Sequence, residues 1–207
     1  MSRAVHLLTA HWLHWLNGLV AIFVGLPFAA PILLAAGHTE VASAIYAAYR
    51  LVCHQWAFRS YFLLGPQSTY SLGELGERLG PSAPFGLLGS PDLGYKVAFC
   101  ERDVAIYLAV LAAGLLYAAL RHRLEPLPIP VYLGMIAPMA IDGFSQLFGW
   151  RESTVELRTL TGGLFGLSSV WLLYPRLDVV FAAGRLPEPV RRPSDAFELV
   201  PTGGGPR

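Results

Sequence analysis

Residues 45–64 read IYAAYRLVCHQWAFRSYFLL, and whether they cross a bilayer decides how many helices the chain threads through it. The apolar residues of the run argue for a span. Arg50 and Arg59 argue against one, because an arginine at the centre of a span costs about 2.5 to 3.5 kcal/mol on the insertion scale, and two of them about cancel the apolar gain. The wider segment 41–64 therefore either spans the bilayer or lies half-buried at its interface. If it is helical throughout, a turn of about 100° per residue puts Arg50, Cys53, His54 and Ser60 on one side, with Gln55 and Arg59 nearly opposite. Neither side is then a clean lipid face, and protein or water is expected on both.

The rest of the chain settles the solvent. Of 207 residues, 54% are hydrophobic and only 14% charged, with mean hydropathy +0.48, outside the range of ordinary soluble domains. Three further segments, 12–36, 104–120 and 129–150, each supply the roughly 20 mainly apolar residues that about 30 Å of hydrocarbon requires. The first carries Pro27 and Pro31, which are expected to kink its far half. It is too long, and its start too weakly basic, for a removed signal peptide. A fourth span is expected from about 160 past Pro175 to about 183, with Arg176 snorkelling. Its Gly162-x-x-x-Gly166 offers a small-residue face for a neighbouring helix. The fold class is all-α: a polytopic membrane helical bundle with four transmembrane helices, five if 41–64 crosses, forming one integral membrane domain over 1–183 and placing the protein in the cell membrane as a multi-pass chain. Fourteen arginines accompany a single lysine, Lys96. They form no basic, aromatic-interleaved face of the kind nucleic acid requires.

Residues 65–94 hold seven glycines and four prolines and read as an irregular loop with one short helix near 72–79. Residues 184–207 hold five prolines and a glycine triplet and read as a disordered tail. By the positive-inside rule, Arg121, Arg123, Arg185, Arg191 and Arg192 place the 121–126 turn and that tail in the cytoplasm. The opposite, extracytoplasmic face then collects Cys100, Arg102, Asp103, Asp142, Gln146, Arg151, Glu152, Arg158 and Thr161, roofed by the 65–94 loop. The 41–64 segment joins that face in either case; the N-terminus is cytoplasmic with four spans and outside with five.

Asp142 lies about 10 Å inside its helix, where an unpaired carboxylate is costly. It is either functional or one half of a salt bridge to Arg59, Arg102, Arg151 or Arg158. Four arginines against one deep acid leave room for an anionic ligand, since guanidinium forks match phosphate and carboxylate. Glu101, Asp103, Glu152 and Glu156 nearly balance them, however, so a purely internal network of ion pairs is equally open. Cys53 and Cys100, the two thiols of the chain, could pair as a disulfide or stay free, or a divalent metal could be held by Cys53 or His54 together with Cys100 and Asp142. His11 and His14 in HWLHW read as interfacial beside Trp12 and Trp15. Phosphate-loop, dinucleotide-fold and His-Glu-x-x-His signatures are absent.

These residues carry a resemblance. Cys53-His54-Gln55 with Arg59-Ser60, Cys100-x-Arg102-Asp103 with Ile106-Tyr107, Asp142-Gly143 with Gln146, Arg151-Glu152-Ser153, and Arg158-x-x-Thr161-Gly162 together resemble a prokaryotic family of predicted membrane proteins known as a domain of unknown function, over roughly 40–175. The resemblance implies a small multi-span membrane protein and brings no reaction, substrate or cofactor. From the residues themselves, a polar site at the membrane face is expected, acting on an anionic lipid-linked group. Asp142, His54 and Arg151 are its candidate catalytic residues. Gln55, Arg59, Arg102, Asp103, Gln146, Arg158 and Thr161 are candidate ligand-binding residues, and Cys53 and Cys100 a disulfide or metal pair. The alternatives are a thiol or metal protein using those cysteines, and a non-catalytic subunit of a larger membrane complex. The partners expected are membrane lipid and other membrane subunits.

Overall fold

The structure, a computed structural model, describes Leu7 and residues 9–121 and 123–183; the tail expected at 184–207, with its three arginine anchors, lies outside the described residues. In chain order the elements are α1 (Trp12–Ala35), α2 (Thr39–Tyr49), a 3₁₀ turn (Ala57–Arg59), β1 (Phe62–Leu63), α3 (Leu72–Leu79), α4 (Ala83–Gly86), β2 (Gly89–Ser90), β3 (Gly94–Lys96), α5 (Glu101–Leu120), α6 (Ile129–Leu147) and α7 (Val155–Ala183). The fold is mostly helical, as the hydropathy pattern requires. Three helices are long and apolar enough to cross a membrane: α1, α5 and α7 as far as Ala182. Only 22% to 28% of their most apolar stretches is buried within the protein. Leu19, Ile22, Leu115, Leu116, Val179 and Val180 all face outward, which in water would be an aggregation surface and in lipid is the natural one.

The 41–64 segment is not one helix. Helix α2 ends after 11 residues, about 16 Å at helical rise, too short to cross alone. The chain then leaves the helix, and Gln55 sits at φ +55, a left-handed conformation that a non-glycine residue adopts at a cost of about 1 to 3 kcal/mol. The helical-wheel grouping of Arg50, Cys53, His54 and Ser60 therefore does not apply. Gln55 Nε2 donates to Tyr46 O (2.8 Å), back into the end of α2, and Lys96 Nζ donates to Gln55 O. The break is thus held by hydrogen bonds from both sides.

Prolines in a membrane helix strand the carbonyl four residues earlier, and in lipid no water is at hand to satisfy it. Pro27 strands Phe23 O, which accepts from Tyr49 Oη (2.7 Å). Pro31 strands Pro27 O, which accepts from Ala98 N (3.2 Å). Pro175 strands Trp171 O, which accepts from Leu127 N (3.4 Å). The first two bonds tie α1 to α2 and to the strand-to-helix connection before α5, so the proline kinks double as docking points. Tyr49→Phe is expected to lower unfolding free energy by about 1 to 3 kcal/mol, because it leaves the part-buried Phe23 O unpaired where lipid supplies no donor; denaturant unfolding in detergent measures it.

Helices α5 and α7 cross closely. A Cβ on Gly162 would stand 2.9 Å from Arg102 O, and one on Gly166 2.3 Å from Ile106 O, so the small-residue face lies against α5. Helix α7 begins at Val155, earlier than hydropathy alone indicates, because Arg158 in its first turn is neutralised within the protein. Arg176 does not simply snorkel; it donates to Leu172 O and to Leu127 O (3.0 Å). Helix α6 stops at Leu147, short of the expected 150. Gly149 at φ +70 turns the chain, and Trp150 N reaches back to Ser145 O (2.9 Å), a Schellman-type ending.

The 65–94 stretch contains the short helix α3 over the expected residues. Ser71 and Glu74 close a capping box at its start, satisfying two otherwise free backbone donors. It also contributes to a three-stranded antiparallel sheet in the order β1-β3-β2, with Phe62 opposite Lys96 and Gly89 opposite Tyr95, which no sequence periodicity announced. At the far end of the bundle, Asp178 on α7 accepts from Trp12 Nε1 (3.1 Å), Tyr117 Oη (3.0 Å) and Arg121 Nε (3.0 Å), clasping α1, α5 and α7.

Candidate functional site

At the other end of the bundle, the broken segment after α2, the start of α5, the end of α6 and the start of α7 enclose a cavity of about 320 Å³. The 52–56 turn supplies Cys53, His54, Gln55 and Trp56, and the 3₁₀ turn supplies Arg59. Helix α5 adds Arg102 and Asp103, preceded by Cys100, while α6 adds Gln146 and α7 Arg158. The spacing explains the gathering. Cys100 and Asp103 are three apart across a helix start, and Asp142 and Gln146 four apart, so each pair shares a helical face.

Each arginine is anchored from behind. Arg158 Nη1 donates to Glu101 Oε2 (2.9 Å), with Glu101 only 1% exposed. Arg102 donates to Asp142 Oδ2. Arg59 lies 3.6 Å from Glu152, and its guanidinium stacks 4.8 Å from the Trp56 ring centre. Gln146, with its amide oxygen toward the cations, accepts from Arg158 Nη2 (3.0 Å) and Arg59 Nη2 (3.1 Å). Burial and the neighbouring Arg158 push the Arg59 guanidinium below its usual range, opposed by Glu152. None of the three carboxylate partners, Glu101, Asp142 or Glu152, lines the cavity.

Asp142 and Arg151, expected as catalytic, stand behind this wall. Asp142 is 1% exposed. It accepts from Arg102 and from Arg151 Nη2 (2.7 Å) and Ser153 Oγ (2.7 Å), so its oxygens are occupied by the protein. Arg151 Nε also meets Ser145 Oγ (3.2 Å), and neither residue lines the cavity. His54 is exposed at the rim, its ring 5.6 Å from that of Trp56. Thr161 is turned to its own helix and donates to Leu157 O (2.7 Å), because a threonine inside a helix readily bonds the preceding turn; it is not part of the lining. Glu101, Ser145 and Ser153 were not singled out as site residues. Glu101 entered only the charge balance, and the Arg151-Glu152-Ser153 motif was the one signal for Ser153.

The two thiols are free and adjacent. Cys100 N donates to Cys53 Sγ (3.2 Å), and Cys100 Sγ to Asp103 Oδ2 (3.1 Å). The hydrogen bond with Cys53, and then burial, push the Cys100 thiol up. The metal-ligand grouping expected to include Asp142 instead closes around Asp103: Cys53, Cys100 and Asp103 present ligand atoms all within 4.8 Å of one another. Asp142 cannot join them because its donors hold it on the far side of Arg102.

Lys96, 2% exposed, sits beneath the 52–56 turn. Burial brings its ammonium down from 10.5 to about 8, partly offset by Cys53 and reinforced by Arg50. Between those two values the unfolded chain binds the proton and the folded one does not, so this group makes stability rise with pH across that interval and adds no pH dependence below it. Lys96→Met is expected to remove about 2 to 4 kcal/mol of that rise. The difference between wild-type and variant unfolding curves taken from pH 7 to 10.5 checks it.

Fold and cavity together define a small helical membrane protein with a polar, arginine-walled chamber at one end of the bundle. The chain belongs to the family described as Predicted membrane protein (DUF2085), whose model matches residues 93–172, the stretch that carries α5, α6 and α7 as far as residue 172. An uncharacterized protein of Methanocaldococcus jannaschii is 30% identical over 156 residues, covering 72% of this chain and 81% of that one. An uncharacterized protein of Methanothermobacter thermautotrophicus is 33% identical over 69 residues, 33% of this chain and 62% of that one. No solved structure matches.

Proposed function

We propose that the chain is a multi-pass protein of the cell membrane, with α6 joining α1, α5 and α7 as a fourth span, whose cavity opens to the extracytoplasmic side and holds an anionic headgroup or lipid-linked group. One observation carries this reading. The cavity wall presents three guanidiniums, Arg59, Arg102 and Arg158, against the single carboxylate of Asp103, while the acids that balance them stand behind it. Opposite charges placed behind the arginines hold the side chains extended, while in the cavity Gln146 occupies one Nη2 of Arg59 and one of Arg158. Such a pre-ordered fork suits phosphate or carboxylate oxygens, which accept paired, charge-assisted hydrogen bonds.

Asp142 then positions Arg102 and takes no proton from a ligand, and His54 at the rim is the group placed to exchange one. Native mass spectrometry of the purified full chain tests the reading. Wild type is expected to carry an anionic lipid that Arg59→Gln loses while its helical circular dichroism is unchanged. Wild type without such a lipid, or a variant that retains as much, refutes it.

A further inference from the structure

We propose that Cys53, Cys100 and Asp103 form a divalent-metal site of zinc-like preference, with three protein ligands and a fourth position open to the cavity. The proposal is independent of the anion reading, since it uses none of the arginines. Two sulfurs and one carboxylate oxygen already lie within 4.8 Å of one another. A tetrahedral ion with Zn–S bonds of about 2.3 Å needs its sulfurs about 3.8 Å apart, so small side-chain rotations close the site without moving backbone.

The donor set selects the ion. Thiolates favour zinc and similar borderline or soft metals, whereas magnesium and calcium demand oxygen ligands. Three ligands with an open fourth position are the arrangement of sites that bind and polarise a ligand or water; four closed ligands mark structural ones. Two backbone features suit sulfurs that a bound cation has deprotonated. Cys53 Sγ accepts the backbone N–H of Cys100 (3.2 Å), the kind of outer hydrogen bond that orients metal ligands. Cys100 precedes the first turn of α5, a 20-residue helix whose N-terminal end favours negative charge. Gln55, 2% exposed and lining the same cavity, has its side-chain oxygen unpartnered, a free acceptor for a metal-bound water. Binding is balanced by proton release: each thiol gives up its proton as its sulfur bonds the cation, so one M²⁺ displaces two H⁺.

The full chain, purified in detergent, reduced and freed of metal with a chelator, would be titrated with cobalt(II) and followed by thiolate-to-cobalt absorption. Zinc calorimetry in two buffers of different ionisation enthalpy would count the protons. The expected result is one ion per chain, the charge-transfer band, and release of close to two protons. Cys53→Ser and Cys100→Ser should abolish the band. Asp103→Asn, which leaves both thiols in place, should weaken binding at least about tenfold, the loss that an outer-shell change alone can produce, and it decides the matter should either serine variant fail to fold. Folded, reduced wild type without the band overturns the site, as does a band that persists in folded Cys53→Ser or an affinity unchanged in Asp103→Asn. The lipid and cobalt measurements are separate, so either reading can fail alone.

Discussion

Asp142→Asn is expected to lower the unfolding free energy by about 3 to 5 kcal/mol, the usual cost of breaking a buried ion pair from one side. The carboxylate is 1% exposed and receives Arg102, Arg151 and Ser153 at once. An amide of the same shape keeps one acceptor oxygen and turns an NH₂ toward guanidinium donors, leaving two cations facing a neutral group in a partly dry site. Because Arg102 lines the cavity and Arg151 does not, ligand retention should fall together with stability, as Arg102 loses the group that aims it. Thermal unfolding in detergent and native mass spectrometry on the same preparations read both effects. Unchanged melting with lost ligand would instead place Asp142 in direct contact with the bound group, contrary to the arrangement described.

The second large effect concerns Arg158 and Glu101. Arg158→Leu strands Glu101, whose side chain is 1% exposed, and the same reasoning gives about 3 to 5 kcal/mol of destabilisation. The double variant Arg158→Leu/Glu101→Leu removes both charges. Replacing a buried pair by apolar groups is often neutral or stabilising, so most of the lost stability should return. The anionic ligand should not return with it, because the cavity will have lost one of its three guanidiniums. A double-mutant cycle on unfolding free energy, with lipid retention measured in each of the four proteins, separates what the pair does for the fold from what Arg158 does for the chamber. Recovery of both stability and ligand would show Arg158 to be structural alone.

Much of the architecture was legible because it depends on local quantities. The apolar stretches around Val24, Ala112 and Val170 lie within helices of membrane-crossing length, since hydrocarbon thickness converts directly into residues per helix. The span of α3 was legible from its local pattern, while the Ser71 and Glu74 box that starts it is seen in the structure. The three-stranded sheet was missed because its strands are two or three residues long, too short for a period of two to register. The break after Tyr49 escapes local quantities for a different reason. Insertion costs nearly cancel in 41–64, and the deciding contribution comes from Lys96 and Tyr46, which hold Gln55 in its left-handed conformation.

The amino-acid sequence by itself determined that this is a helical membrane protein, where α1, α5 and α7 lie, and that Arg102, Asp103, Asp142, Arg151 and Arg158 belong to the same end of the bundle. Each of those follows from transfer free energies summed along short windows, which no partner has to be known to evaluate. Only the tertiary structure decided which cation meets which anion. It put Asp142 behind Arg102 and Asp103 beside the thiols, set Arg158 on Glu101, and brought Tyr49 and Ala98 to the carbonyls that Pro27 and Pro31 strand. Those pairings form between residues from 26 to 71 positions apart apart from the short Cys100 to Asp103 step. Most depend on where helices cross, and that is set by backbone contact at glycines such as Gly162 and Gly166, not by the charge of the residues that end up paired.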